Sequence, residues 1–270
     1  MKKLLLRSMA LSALIAVPAM AADMPLKAPV SPPLPVWSWT GFYVGANVGE
    51  HWGRDSTTSA MNPAFAAQPN GAGFIAVVNG RTPGTVNPRG VIGGLTVGYN
   101  FQISNFLWGL EGDVNWLGGE ATRSITGFAP PVNPLDVFTT STRASFLATL
   151  RARAGWVFNQ TLFYVTGGLA VATIKTADSF GFSGNTDIRA TSDSNTRVGG
   201  TIGGGLEHAF GNNWSAKIEY LYVAFDSFTT HTPSQTFAQD DIAVSHKYSD
   251  NIVRVGLNYR FGYGPVVAKY

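Results

Sequence analysis

The chain has 270 residues, of which 13% are charged, 12% are aromatic, 31 are glycine and none is cysteine. Beyond the first 21 residues no uncharged apolar run approaches the ~20 residues of a spanning helix, so a helical membrane protein is excluded. The missing thiols also exclude a disulfide scaffold and thiolate metal sites.

The chain opens as a secretory signal peptide. Lys2, Lys3 and Arg7 form a charged n-region, Leu11 to Met20 an apolar stretch, and Ala19-Met20-Ala21 a small-residue cleavage site, so residues 1–21 are expected to be removed. The competing reading, a membrane anchor, is opposed by the short run and by Pro18. With the signal go three cations, which brings the 19 Lys+Arg level with the 16 Asp+Glu. The processed chain is formally neutral, and a nucleic-acid partner is not expected. Residues 22–40 form a Pro-rich leader with no periodicity, expected to lie extended on the periplasmic side.

Eight segments of period-2 patterning follow, each about the length of a tilted transmembrane strand. They are GFYVGANVG (41–49), VIGGLTVGYNF (91–101), FLWGLEGDVNW (106–116), SFLATLRARAGWVF (145–158), LFYVTGGLAVA (162–172), RVGGTIGGGLEHAF (197–210), WSAKIEYLYVAF (214–225) and NIVRVGLNYRF (251–261). In each, one face is aliphatic or aromatic and the other small and polar, and the charges within the strands fall on the polar face. Three links are tight turns, at 102–105, 159–161 and 211–213. The other four, near 54–89, 117–143, 173–196 and 226–249, are long and rich in Thr, Ser, Asn, Gly and Pro. Short periplasmic turns alternating with long outer loops predict an all-β fold: an eight-stranded antiparallel up-and-down transmembrane β-barrel over 41–261, with a short tail at 262–270. Phe74–Val78, between two Asn-Gly pairs, is a candidate extra hairpin arm above the membrane.

Tryptophan placement supports a lipid-facing apolar face. Trp37 and Trp39 lead into the first strand, Trp52 follows it, and Trp108, Trp116, Trp156 and Trp214 lie on apolar faces. With Phe101, Phe158 and Phe261 they are expected to form the two aromatic girdles of a membrane barrel.

Three stretches carry a family resemblance: WSWTGFYVGANVG opening the barrel, LRARAGWVF with LFYVTGGLAVA around one turn, and RVGLNYRF closing it. They resemble the small outer-membrane β-barrel family of alpha-proteobacteria, within the opacity-protein and OmpA-like membrane-domain superfamily often labelled porins, and the similarity runs from about Trp39 to Phe261. The resemblance implies a cell outer-membrane location in a Gram-negative envelope and assembly by the barrel-assembly machinery. Arg254, Gly256, Tyr259 and Phe261 match the positions of that machinery's recognition signal, with Tyr270 the alternative terminal aromatic. The tail is too short for a peptidoglycan-binding domain, and the chain is expected to be barrel only.

No catalytic, metal or cofactor site is expected, and no enzyme. His51, His208, His231 and His246 are scattered without metal-ligand spacing and are read as solvated surface residues. GGTIGGG, near Gly199, lacks the GK[ST] of a phosphate loop. A barrel deacylase would need His and Ser two apart on one strand face, whereas His246 and Ser249 are three apart.

The informative set is Glu111, Asp113, Arg151, Arg153, Glu207, Lys217, Glu219, Arg254 and Arg260, all on polar faces. Counting up from the periplasmic ends places Glu111 and Asp113 level with Arg153 and Arg151, Glu207 level with Lys217, and Glu219 one pleat below Arg254. Such pairing predicts a salt-bridged interior, because eight-stranded barrels are just wide enough for side chains to fill. The leading expectation is a structural, surface-exposed envelope protein. The alternatives are a narrow porin-like channel and a loop-based binder, for example of haem through His51, His231 or His246, or of a host surface. Expected partners are outer-membrane lipid and lipopolysaccharide, the assembly machinery, and an unidentified extracellular ligand of the loops.

Overall fold

The computed structural model describes residues 37–69, 71–80, 84–126, 136–181, 188–211, 213–233 and 241–261. The signal peptide, the leader as far as residue 36, and the tail 262–270 lie outside the described residues. The strands are β1 (Gly41–Met61), β2 (Thr85–Val86), β3 (Arg89–Ile103), β4 (Phe106–Leu117), β5 (Ala121–Thr126), β6 (Val137–Phe158), β7 (Thr161–Gly181), β8 (Ile188–Phe210), β9 (Trp214–Phe225), β10 (Phe228–Pro233) and β11 (Asp241–Phe261). Eight of them close a ring in the order β1-β3-β4-β6-β7-β8-β9-β11 and back to β1, every pair antiparallel. Closure leaves no unpaired edge at membrane level, which hydrocarbon would not tolerate.

The ladder follows from the alternation. Its outward residues are large and apolar, for example Val97, Val165 and Ile218, with Val165 66% exposed; its inward residues include Glu111, Arg151 and Arg254, each at most 1% exposed. A soluble barrel has the opposite distribution. The apolar belt defines the membrane-spanning segments: about 42–52 of β1, 91–103 of β3, 106–116 of β4, 146–158 of β6, 163–171 of β7, 198–210 of β8, 214–222 of β9 and 253–261 of β11. At the periplasmic end, Ser104 (φ 54°), Asn159 (φ 54°) and Gly211 (φ 64°) take left-handed conformations in the three tight turns. Asn and Gly adopt that region readily and Ser less so.

The long links differ from unpatterned loops. Five strands continue well past the belt: β1 (21 residues), β6 (22), β7 (21), β8 (23) and β11 (21). β3, β4 and β9 stop near the upper rim, so two walls stand above it. One is β5-β6-β7-β8, the other β2-β1-β11-β10. The walls meet at their edges through single hydrogen bonds: Arg123 Nη1 donates to the Thr85 carbonyl (3.2 Å) and Thr191 Oγ1 to the His231 carbonyl (2.9 Å).

Phe74–Val78 is not a hairpin arm. It lies in the helix α1 (Gly71–Gly80), where Phe74, Ile75, Val77 and Val78 pack on Met61, Phe138, Phe180, Ile242 and Val244 and cap the space between the walls. Trp39 is not a girdle residue either. It is 2% exposed and packs with Leu107, Val157, Leu162, Tyr164 and Ala209, with Trp37 against them, closing the periplasmic end of the lumen. Trp52, Trp108, Trp116, Trp156 and Trp214 do face outward.

Candidate functional site

The lumen is layered. Above the Trp39 plug lies a charged layer, then an apolar layer including Ile92, Leu147, Ile174, Leu221, Val223 and Ile252, then a polar layer around His246 between the walls, and finally the α1 cap.

The charged layer contains four cations and four carboxylates: Arg151, Arg153, Lys217 and Arg254 with Glu111, Asp113, Glu207 and Glu219. Arg151 reaches three carboxylates, Glu111 (2.5 Å), Asp113 (2.8 Å) and Glu219 (3.0 Å). Glu111 also accepts from Lys217 (2.9 Å), Arg153 (3.3 Å) and the Tyr43 hydroxyl (2.7 Å). Arg153 holds Glu207 (2.7 Å), which further accepts from Ser215 and Asn258. Arg254 bridges Asp113 (3.1 Å) and Glu219 (2.6 Å), and Asn115 donates to Asp113. Because β4 and β9 stand opposite each other in the ring, the Lys217–Glu111 pair crosses the full width of the lumen. Small inward residues make room for these side chains. A Cβ on Gly98 would come 2.4 Å from the Tyr43 hydroxyl, and one on Gly205 2.7 Å from that of Tyr164.

Levels read from the sequence are off by one pleat on two strand pairs. Glu111 stands opposite Arg151 and Asp113 opposite Thr149, while Arg254 stands directly opposite Glu219. The cause is barrel stagger: β4 begins opposite Trp156 rather than Phe158, and β9 opposite Tyr259 rather than Phe261. Glu207 and Lys217 are opposite each other, yet Lys217 bonds Glu111 across the lumen instead. Arg260 is outside the network. It sits one pleat below Asn258 at the periplasmic rim, donates to the Thr40 carbonyl (3.3 Å) and lies 4.6 Å from the Trp37 ring centre. Tyr43 and Tyr164, absent from the expected set, join it through Glu111 and Glu219; their inward alternation was the available signal.

The assembly-signal positions divide by face. Tyr259 and Phe261 point outward and pack edge-on, 5.1 Å apart, with Trp214 5.0 Å from Tyr259. Gly256 points inward, where a Cβ would meet the Lys217 side chain at 3.1 Å.

Two histidines expected at the surface are buried. His51 Nδ1 meets Asp250 (2.9 Å) and Nε2 the Gly118 carbonyl (2.8 Å). His246 sits between the walls. Its Nδ1 meets Asp55 on β1 (2.9 Å) and its Nε2 Asp178 on β7 (3.2 Å), while its ring stacks on Phe228 at 5.0 Å. Thr142 donates to Asp55, and Thr140 and Thr230 donate to Asp178. Burial pushes the His246 imidazole down, but the hydrogen bonds to Asp178 and Asp55 push harder, and its pKa rises to about 9. Burial would raise Asp178, yet the His246 contact holds it below the usual carboxylate range. With both ring nitrogens engaged, neither histidine offers a lone pair to haem iron. His231 is exposed, on Asp241 (2.5 Å), and His208 is exposed beside Thr161. His246 and Ser249 point to opposite faces, His246 buried and Ser249 toward the exterior.

The model of the outer membrane protein beta-barrel domain matches residues 9–261. The chain belongs to that family. Among its relatives, the 31 kDa outer-membrane immunogenic protein of Brucella melitensis is 32% identical over 267 residues, 97% of this chain and 100% of that one. The 22 kDa outer membrane protein of Rhizobium leguminosarum is 24% identical over 235 residues, 86% of this chain and 82% of that one. Among solved structures, OprG of Pseudomonas aeruginosa is 10% identical, with a TM-score of 0.45, over 82% of this chain and 97% of that one. Family membership and the apolar exterior together make this an outer-membrane protein.

Proposed function

We propose that this family member is a structural, surface-exposed envelope protein without enzymatic activity, whose lumen is filled rather than conducting. The observation that carries the reading is the Lys217–Glu111 contact across the charged layer, within a set whose four cations and four carboxylates balance. An ion path through this level would have to break such pairs, and stranding one buried charge costs several kcal/mol. The Trp39 plug below and the α1 cap above lie in series with it. The two walls above the belt are the surface offered to the outside, and relatives named for immunogenicity fit such a surface.

Single-channel recording in planar bilayers tests the reading. The filled lumen predicts no steady conductance from the folded protein at neutral pH. Stable ohmic currents whose selectivity shifts on Arg151→Gln or Arg153→Gln would replace it with the channel reading.

A further inference from the structure

The outward face is asymmetric about the belt. At the periplasmic rim it carries Phe101, Phe106, Trp108, Trp156, Phe158, Phe210, Trp214 and Phe261, and among the described residues no Lys, Arg, Asp or Glu is exposed there. At the upper rim, just above Trp52 and Trp116, exposed cations appear: Arg54, Arg89 and Lys247 around β1, and Arg143 and Lys175 on β6 and β7. The exposed acids nearby are Glu50, Glu120 and Asp226, while the half-buried Asp193 beside Ser194 is held by Arg197 and Asn195.

Arg143 and Lys175 are directly opposite each other on neighbouring strands, both outward and exposed. Like charges in that position repel and weaken a ladder. No carboxylate among the described residues pairs with either one, although Glu120 immediately precedes β5, whose Ala121 faces Thr142. The pair sits one pleat above Phe146 and Thr173, with Trp116 beside Phe146. From Phe158 to Phe146 the strand climbs roughly 30 Å at about 3.4 Å per residue and a tilt of about 40°, so the pair stands at headgroup level. Ser194, exposed and opposite Lys175 on β8, adds a hydroxyl donor.

We propose that Arg143, Lys175 and Ser194 form a binding site for the phosphate of a phosphorylated glycolipid in the outer leaflet. A guanidinium fork and an ammonium converging on one phosphate make charge-assisted hydrogen bonds that reverse the sign of the pair's electrostatics. The acyl chains of the same lipid would run down the apolar face beside Phe146, Leu150 and Leu169. A lipid therefore satisfies both halves of the surface, and a free anion only one.

The test uses the folded full-length barrel in neutral detergent, with heat-modifiable migration reporting folding. Labelled bisphosphorylated lipid A is titrated against wild type and R143Q/K175Q, and the dephosphorylated glycolipid serves as the second probe. Loss of about tenfold in affinity is expected for the phosphorylated probe alone, with recovery in the charge-conserving R143K/K175R. Without glycolipid, R143Q/K175Q should resist urea as well as wild type or better, because repulsion is relieved. Equal binding by the double variant, equal loss on the dephosphorylated probe, or failure of that variant to fold would overturn the site. Full competition by millimolar inorganic phosphate would reassign it to a free anion and overturn the lipid.

Discussion

Two buried polar clusters sit in one lumen and are built differently. At membrane level, arginines and a lysine meet Glu and Asp, and the contacts run between strands all around the ring. Between the upper walls, one histidine joins two aspartates, and the contact runs from β11 to β1 on its own wall and to β7 on the other. Guanidinium keeps its charge at any physiological pH, whereas imidazole does not. The lower cluster is thus a permanent tie inside a closed ladder. The upper one links two walls that also meet through the α1 cap, the Arg197–Phe228 stack and isolated hydrogen bonds at their edges, and its strength follows pH.

The largest effect that would break this contrast is at the hub of the lower cluster. Arg151→Ala leaves four buried carboxylates to three cations, with Glu111, Asp113 and Glu219 each short of one partner, and should destabilise the barrel by about 3–5 kcal/mol in urea titrations in liposomes. Val165→Arg, on the lipid face of the same level, should cost about 2–4 kcal/mol through the bilayer instead. Anionic lipid should relieve the Val165 variant and leave the Arg151 variant unchanged.

The upper cluster should respond to pH. A folded pKa of about 9 for His246 lies above its unfolded value of 6.5, so its contribution is complete below pH 6.5 and fades as pH rises through 9. The amplitude is at most about 3–4 kcal/mol, since one pKa unit is about 1.4 kcal/mol. Asp178, held low, acts in the opposite sense, and its contribution fades as pH falls through the acid range. Hydrogen exchange should therefore show the amides around Thr140 and Thr176 losing protection above pH 8, with those around Arg151 and Glu219 unchanged. His246→Asn should remove that alkaline response. A uniform pH response of both levels would erase the distinction.

The smallest predicted effect sharpens the packing of the lower cluster. Gly98→Ala pushes a methyl against the Tyr43 ring and hydroxyl, and to 2.8 Å from the Leu110 carbonyl, and should cost about 1 kcal/mol or more by disturbing the Tyr43 bond to Glu111. Adding Tyr43→Phe should make the two changes less than additive in urea titrations.

The membrane level was legible because its two faces differ so sharply in chemistry. LRARAGWVF shows which residues point in, and the charged set follows from the face alone. Which charges meet was not legible. Stagger shifts strand levels by a pleat, and the bonds across the lumen depend on ring position rather than on sequence neighbours. Arg260 shares the inward alternation but falls below the charged layer, a height that pattern does not encode.

The walls were far less legible. Stretches such as STTS (56–59) and TTST (139–142) are polar on both faces, so a hydropathy pattern reads them as loop although β-branched Thr suits a strand. His246, lying in such a stretch, and His51, at the top of the belt, give no sequence sign of burial, because their carboxylate partners come from segments far away along the chain. Phe74–Val78 has strand-like composition, and tertiary packing under the mouth made it helix.

Opposite sides of the barrel touch through the charges of Glu111 and Lys217. A double-mutant cycle on Glu111→Gln and Lys217→Met, read by urea unfolding in liposomes, measures that contact directly. Each single change should be destabilising, and the pair should couple by about 0.5–3 kcal/mol. Coupling near zero, with both single variants close to wild type, would mean that solvent separates β4 from β9 and would contradict the filled lumen.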